Sequence, residues 1–424
     1  MKIAVVGSGI AGNVAAYYLN KKHDITLFET NNYVGGHTHT HDIEAIDGQL
    51  AIDTGFIVFN YKTYPHFTAL LKELGVEVQI SDMSFSVKCE KTGLEYNGTT
   101  LNSLFSQRKN LFSPKFYKMI RDILRFNKES VEDLHSGKAE MPLGEYLQKN
   151  NYGEKFITQY LVPMGAAVWS AEPEGMMSFP AGFFIRFFHN HGMLSVSDRP
   201  QWYVIKGGSR EYVKKLTAEF ADKIHTSSGV KNIKRTVNGV ELVLNNNEIH
   251  HFDEVFIATH SDEALNLLED ASAIEKTTLG AIPYQVNEAI LHTDDSILPK
   301  KRLAWAAWNY HILKNQNDRV ALTYNMNILQ SLDSKQTFCV TLNNEAAIDK
   351  NKIIKKMRYE HPIFTEDGML AQQKQADING INHTYFCGAY WRFGFHEDGV
   401  WSALQALKHF EEITDAQLHI RRAS

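Results

Sequence analysis

The sequence predicts an α/β fold built from two interleaved domains, and three observations predict it. An apolar strand, Lys2–Val6, runs directly into Gly7-Ser8-Gly9-Ile10-Ala11-Gly12 and then into a helical segment at 13–19. A second apolar strand, 24–29, ends in an acid, Glu29, about 20 residues after the first glycine. Segments of the same strand-and-glycine character return late, at 203–213, 254–258 and 384–388, with unlike segments between them. Strand, glycine turn, helix and acid in that order define a Rossmann-like nucleotide site.

Each part of the opening unit has a physical role. Gly7 allows the tight turn, Gly9 the close approach of a pyrophosphate, and Gly12 the packing of helix on strand. The helix N-terminus, at Ile10 and Ala11, offers unpaired N–H groups and a partial positive charge to phosphates. An acid rather than an arginine at 29 favours a free ribose 2′-OH, and so NAD or FAD over NADP. A second glycine turn, Gly35-Gly36-His37, follows beside the same nucleotide. Residues 41–53 read as a hairpin turning at Asp47-Gly48, and 64–74 as a helix ending at Gly75.

Beyond residue 81 the pattern changes: helices are expected at 115–132 and 143–149, joined by aromatic-rich connections. The strand, Gly207-Gly208 pair and helix of 203–213 restore the first pattern. A meander follows at 230–237, 240–244 and 248–252, with Asn-rich turns, then a buried strand at 254–258. Residues 283–375 look like a second visit to the other domain, and 400–410 like a closing helix. The expected boundaries are 1–80, 203–282 and 376–424 for the nucleotide domain, and 81–202 with 283–375 for a mixed α/β substrate domain.

The net charge of −5 gives no reason to propose nucleic-acid binding. Three scattered cysteines, Cys89, Cys339 and Cys387, suit neither a metal knuckle nor a disulfide framework. Met1 leads directly into the first strand, leaving no room for a signal peptide, and no run of about 18 apolar residues occurs. The expectation is a cytoplasmic enzyme of unknown oligomeric state.

The order of these motifs resembles the FAD-dependent amine oxidase superfamily, which includes protoporphyrinogen oxidases, carotenoid desaturases and fatty-acid isomerases. The pieces are the first glycine motif with Glu29, Gly35-Gly36, Asp53-Thr54-Gly55, Lys206-Gly207-Gly208, the strand from Val230, Ala258-Thr259 and the segment from Gly388 to Gly399. More narrowly, the segments 36–40, 163–169 and 394–399 are similar to bacterial NAD/FAD-binding proteins that neighbour cyclopropane-fatty-acid synthases. The resemblance implies non-covalent FAD. It places the Val230 backbone at adenine, and His37 where the family commonly has an FAD-touching arginine. It puts Thr54, Gly55 and Gly388 beside the cofactor, with Glu397, Asp398 and Gly399 at a helix start suited to negative charge on a reduced flavin. Amine-oxidising relatives place tyrosines over the flavin. Here the corresponding residue is Phe395 or His396, neither a tyrosine, and Trp391 is a further candidate for the flavin face.

His37, His39 and His41 alternate, so a strand would put all three on one face. Flavin-adjacent polar residues are expected there, and no metal. Phe183, Phe184, Phe187 and Phe188 have helical spacing, which reads first as a core stripe. Their second reading is the wall of an apolar tunnel or a peripheral membrane entrance. The expected function is hydride transfer between flavin and an apolar small-molecule or lipid substrate, an unsaturated or modified fatty-acyl chain. The alternatives are an amine or polyamine oxidase, and a flavin-binding accessory protein of a lipid methyltransferase.

Overall fold

The computed structural model describes residues 1–170, 172–195, 199–314 and 319–423. Its first layer is a five-stranded parallel sheet in the order Ile224–His225, Asp24–Phe28, Lys2–Val6, Glu254–Ile257, Thr384–Phe386. Alternation along the strands sorts their side chains between two cores. Ile3 and Val5 join Val14, Ala15, Ala403 and Phe410 under two helices, Ile10–Asn20 and His396–Ala423. Ala4 and Val6 point the other way, against Ile233, Val240 and Leu242 of the antiparallel meander Val230–Thr236, Gly239–Leu244, Ile249–Phe252.

A seven-stranded sheet forms the second layer, in the order Ile353–Pro362, Tyr284–His292, Cys339–Leu342, Leu322–Asn325, Trp308–Ile312, Phe85–Cys89, Leu94–Asn97. Its pairings are antiparallel except that between Trp308–Ile312 and Phe85–Cys89. Helices Pro114–His135, Leu143–Lys149, Val162–Trp169 and Ala181–Asn190 share one apolar cluster with this sheet. The fold is the mixed α/β arrangement the sequence predicts, with a parallel nucleotide-type sheet and a separate, mainly antiparallel one.

Two local expectations change. The hairpin pairs Ala45 with Gly48, so its turn residues are Ile46 and Asp47, one place earlier than the Asp-Gly signal suggests. The strand begins at Thr40 and leaves His37 outside it. His39 and His41 lie together, ring centroids 4.1 Å apart, whereas His37 turns toward His260, Tyr359 and His361. The three histidines do not form one face.

Candidate functional site

The carboxyl ends of the parallel strands gather most of the expected residues at one edge, as open α/β sheets do. The helix opens at Ile10, inside the glycine motif, with Gly9 as an extended N-cap that receives no side-chain hydrogen bond. A methyl group built on Gly12 would stand 1.9 Å from the Gly7 carbonyl oxygen, so only glycine lets helix and turn meet here. A methyl on Gly9 would meet nothing within 4 Å. Open space therefore lies over Gly9, next to first-turn N–H groups that an α-helix cannot pair internally. The second glycine turn closes on the first through Gly35 N–H to the Ser8 carbonyl, 3.0 Å. Gly36 follows in a left-handed conformation.

Glu29 is buried, and each of its oxygens already accepts two hydrogen bonds. Oε2 takes Ser8 N–H (2.9 Å) and the Ser8 hydroxyl (2.6 Å); Oε1 takes Asn31 N–H (2.7 Å) and Nδ2 (2.9 Å). A ribose diol reaching this carboxylate would replace the two side-chain donors. Val230 stands at the same end, because Ser228 N–H donates to the Glu29 carbonyl and Gly229 packs against Thr30.

From Gly36 the chain runs into a dense polar cluster. Phe56 N–H donates to the His37 carbonyl at 2.7 Å, bringing Gly55 alongside. The Thr54 hydroxyl donates to the His39 carbonyl (3.1 Å) and lies within hydrogen-bond distance of Tyr359 Oη (2.8 Å) and His41 Nε2 (3.1 Å). His37, His361 and Tyr284 are half-buried. Burial, then the neighbouring His361 and His260, hold the His37 ring well below the usual histidine range. His37 Nε2 is itself inaccessible to solvent and has no hydrogen-bond partner. An unpaired buried ring nitrogen is costly, which is the condition a polar ligand edge relieves.

His396 opens the C-terminal helix. Its ring stacks on Phe56 at 3.6 Å and 6°, and its Nε2 lies 2.6 Å from Tyr212 Oη and 3.2 Å from Thr38 Oγ1. Burial lowers its pKa to about 3, so the ring is neutral. Gly399 sets this helix against the first one, since a methyl there would stand 2.6 Å from Ile10 Cγ2. The two neighbouring carboxylates have protein partners. Glu397 accepts from His66 N–H (3.1 Å) and Phe67 N–H (2.9 Å), and Asp398 from Phe395 N–H (2.9 Å). Gly388 lies at the end of strand Thr384–Phe386 and donates its N–H to Ser402 Oγ.

The flavin-face candidates separate. Phe395 is half-buried and stacks on Phe187 at 5.1 Å, whereas Trp391 is 1% exposed and belongs to the core beneath the meander. Phe184, Phe187 and Phe188 are buried around Trp169, so for these three the core reading holds and the membrane-entrance reading fails. Phe183 keeps accessible surface. Thr38, Tyr212, His260, Tyr359 and His361 have no motif of their own, and sequence reasoning missed them. Only Thr38, directly after Gly-Gly-His, carried a positional hint. Among the described residues, no three His, Cys, Asp or Glu side chains are grouped to hold a metal ion, and no helix is long and apolar enough to cross a membrane.

The open space over Gly9, the free first-turn amides and the unpaired His37 nitrogen all fit FAD. The sequence pattern of the family described as flavin containing amine oxidoreductase matches residues 10–302. No curated protein matches the chain. Solved structures share the fold. A CLA-producing fatty acid isomerase from P. acnes is 14% identical, with 96% of this chain and 98% of that one covered and a TM-score of 0.69. Cyclohexylamine oxidase from Brevibacterium oxydans IH-35A is 15% identical, with 97% and 99% covered and a TM-score of 0.67. Putrescine oxidase bound to putrescine is 12% identical, with 98% and 99% covered and a TM-score of 0.66. With more than half its length matched, the chain belongs to the flavin-containing amine oxidoreductase family and is an FAD-dependent oxidoreductase.

Proposed function

We propose that this oxidoreductase moves a hydride between FAD and an apolar fatty-acyl substrate. In this reading Gly7, Gly9, Ile10, Ala11 and Gly12 hold the diphosphate, Glu29 the ribose and the Val230 backbone the adenine. His37, Thr54, Gly55, Gly388 and the helix start at Glu397–Gly399 surround the ring. Residues 1–80, 203–282 and 376–424 make the FAD-binding domain, and 81–202 with 283–375 the substrate domain. Bound FAD supplies the two-electron acceptor, and the protein orients the reacting carbon and excludes water.

The observation that carries the substrate class is a row of phenylalanines ending beside His396. Phe183 lies 5.4 Å from Phe364 and 4.9 Å from Phe393, and Phe187 joins Phe393 (5.6 Å) to Phe395 (5.1 Å). Phe183, Phe393 and Phe395 keep accessible surface along it. The Arg392 guanidinium stands 5.9 Å from the Phe393 ring. That guanidinium also pairs with the Asp398 carboxylate at 3.6 Å, so it is the apolar row itself that suits an acyl chain. Burying each CH₂ contributes about 0.8 kcal/mol, so ten methylenes supply roughly 8 kcal/mol without any charged contact. The structural neighbours include proteins named for a fatty acid and for amines, and the residues favour the former.

Anaerobic mixing with candidate substrates, followed by flavin absorbance, tests this. Long acyl chains or their phospholipids should change the flavin spectrum, and spermidine should not. Fast bleaching by spermidine or an arylalkylamine, with no response to any acyl lipid, would establish amine oxidation instead. A flavin that responds to none of them would favour the accessory role.

A further inference from the structure

One face of the helical layer carries apolar side chains with no protein over them. Phe112 is 88% exposed and Leu101 77%, and Leu111, Tyr117 and Leu303 are exposed as well. The elements that carry them adjoin one another. Helix Leu101–Leu104 contacts the turn Arg302–Ala304. The Arg108 guanidinium donates to the Asn102 and Phe105 carbonyls, and the Phe105 ring lies 5.8 Å from that of Tyr117. Scattered exposed apolar residues need no explanation, but a cluster of large ones marks a contact surface.

The sequence that carries the patch is rich in cations. Between Gly98 and Lys128 the sequence has seven Lys and Arg residues and one acid, Asp122, which is buried. Lys300, Lys301 and Arg302 add three more cations beside Leu303, while the whole chain carries −5. Lys109, Lys115, Lys118 and Arg121 are exposed. Among the described residues, Arg125 is the one cation of the 98–128 run with carboxylate partners, Asp122 and Glu129. Exposed apolar side chains near exposed cations that have no carboxylate partner match the boundary of an anionic bilayer, apolar groups among acyl chains and cations at phosphates.

We propose that this face docks the protein on an anionic membrane surface, with Leu101, Leu111 and Phe112 entering the headgroup–acyl boundary. It takes over the role that the Phe183–Phe188 segment cannot fill, since most of that segment is core. The docking face is independent of the acyl-substrate reading: vesicle binding reports on it, and flavin reduction reports on the substrate.

The test is co-sedimentation of the FAD-loaded protein with phosphatidylcholine vesicles, with and without phosphatidylglycerol. Binding should require the anionic lipid and weaken as salt rises. Lys109→Gln, Lys115→Gln and Lys118→Gln combined should reduce affinity by about fivefold per cation, on the order of a hundredfold in total. Leu111→Ser with Phe112→Ser should also release the protein, with flavin content and urea midpoint unchanged because both side chains are exposed. Equal binding to neutral vesicles, or variants that bind like the parent, would overturn the proposal. So would a concentration-dependent dimer abolished by the same substitutions, which would give the face to a second copy of the chain.

Discussion

With two hydrogen bonds on each oxygen, Glu29 organises the nucleotide turn before any ligand meets it. Glu29→Ala should therefore lower FAD affinity at least tenfold, since charge-assisted bonds contribute about 1.5–3 kcal/mol each. It should also lower the melting temperature of the FAD-free protein, because the Ser8 and Asn31 N–H groups lose their acceptor. Titration at limiting FAD and thermal unfolding measure the two effects; wild-type values in both would remove Glu29 from the site. Asp53 is fully buried and accepts from Thr40, Ser209 and Gln330. Burial pushes its pKa up to about 6 while those donors oppose the rise. Asp53→Asn would turn an NH₂ toward N–H donors and should cost about 2–3 kcal/mol in urea unfolding. The cysteines suit a cofactor held without a covalent bond: Cys387 is buried, and burial pushes its thiol up to about 12, away from reactive thiolate. Acid precipitation should leave the yellow colour in the supernatant, and a yellow pellet would show a covalent link.

Helix Pro65–Glu73 takes its N-terminal cap from another element. The Glu397 carboxylate, from the start of the C-terminal helix, receives two N–H groups of its first turn. Glu397→Ala should cost about 1–2 kcal/mol of stability, the usual value of a lost cap. Its effect on FAD affinity should be smaller than that of Glu29→Ala. The reverse order, measured by urea unfolding and FAD titration, would return the carboxylate to the cofactor. This is also where reading the sequence stops. Lys2–Val6, the meander and helix Leu143–Lys149 were legible because strand alternation, Asn-rich turns and helical periodicity are local signals. Strands Phe85–Cys89 and Leu94–Asn97 were not: they pair with each other, but Phe85–Cys89 joins the large sheet only through Trp308–Ile312, more than 200 residues away. The glycine turns of the site announced themselves by spacing. Tyr212, His260, Tyr359 and His361 reach the same cluster only through packing. No pattern in Glu397-Asp398-Gly399 tells which way the carboxylates turn.

Among the described residues, burial lowers His39, His41, His191, His292 and His361 to about 4 and His396 to about 3, and holds His37 well below the usual range as well. Their pKa values are depressed on folding, so their stabilisation is complete above about 6.5 and is lost as pH falls toward 4. Asp53 and Asp398, raised to about 6 and about 7, act oppositely: they favour the fold at low pH and lose that effect as pH rises through those values. The histidines outnumber them, so the urea midpoint should be lower at pH 5 than at pH 7.5. A midpoint that rises on acidification would contradict this balance. The parallel sheet has a separate consequence in time. Its central strand, Lys2–Val6, is made first and its edge strand, Thr384–Phe386, almost last. At ~5–20 residues per second a ribosome needs roughly 20–75 s to travel between them. For the end of that interval Glu254–Ile257 has one ladder unpaired, an open template for another chain. A nascent or truncated protein that stops before Thr384 also lacks the helix that packs on Ile10, and so leaves the proposed nucleotide site uncovered. On that proposal, the first residues of this chain wait for its last before they can bind.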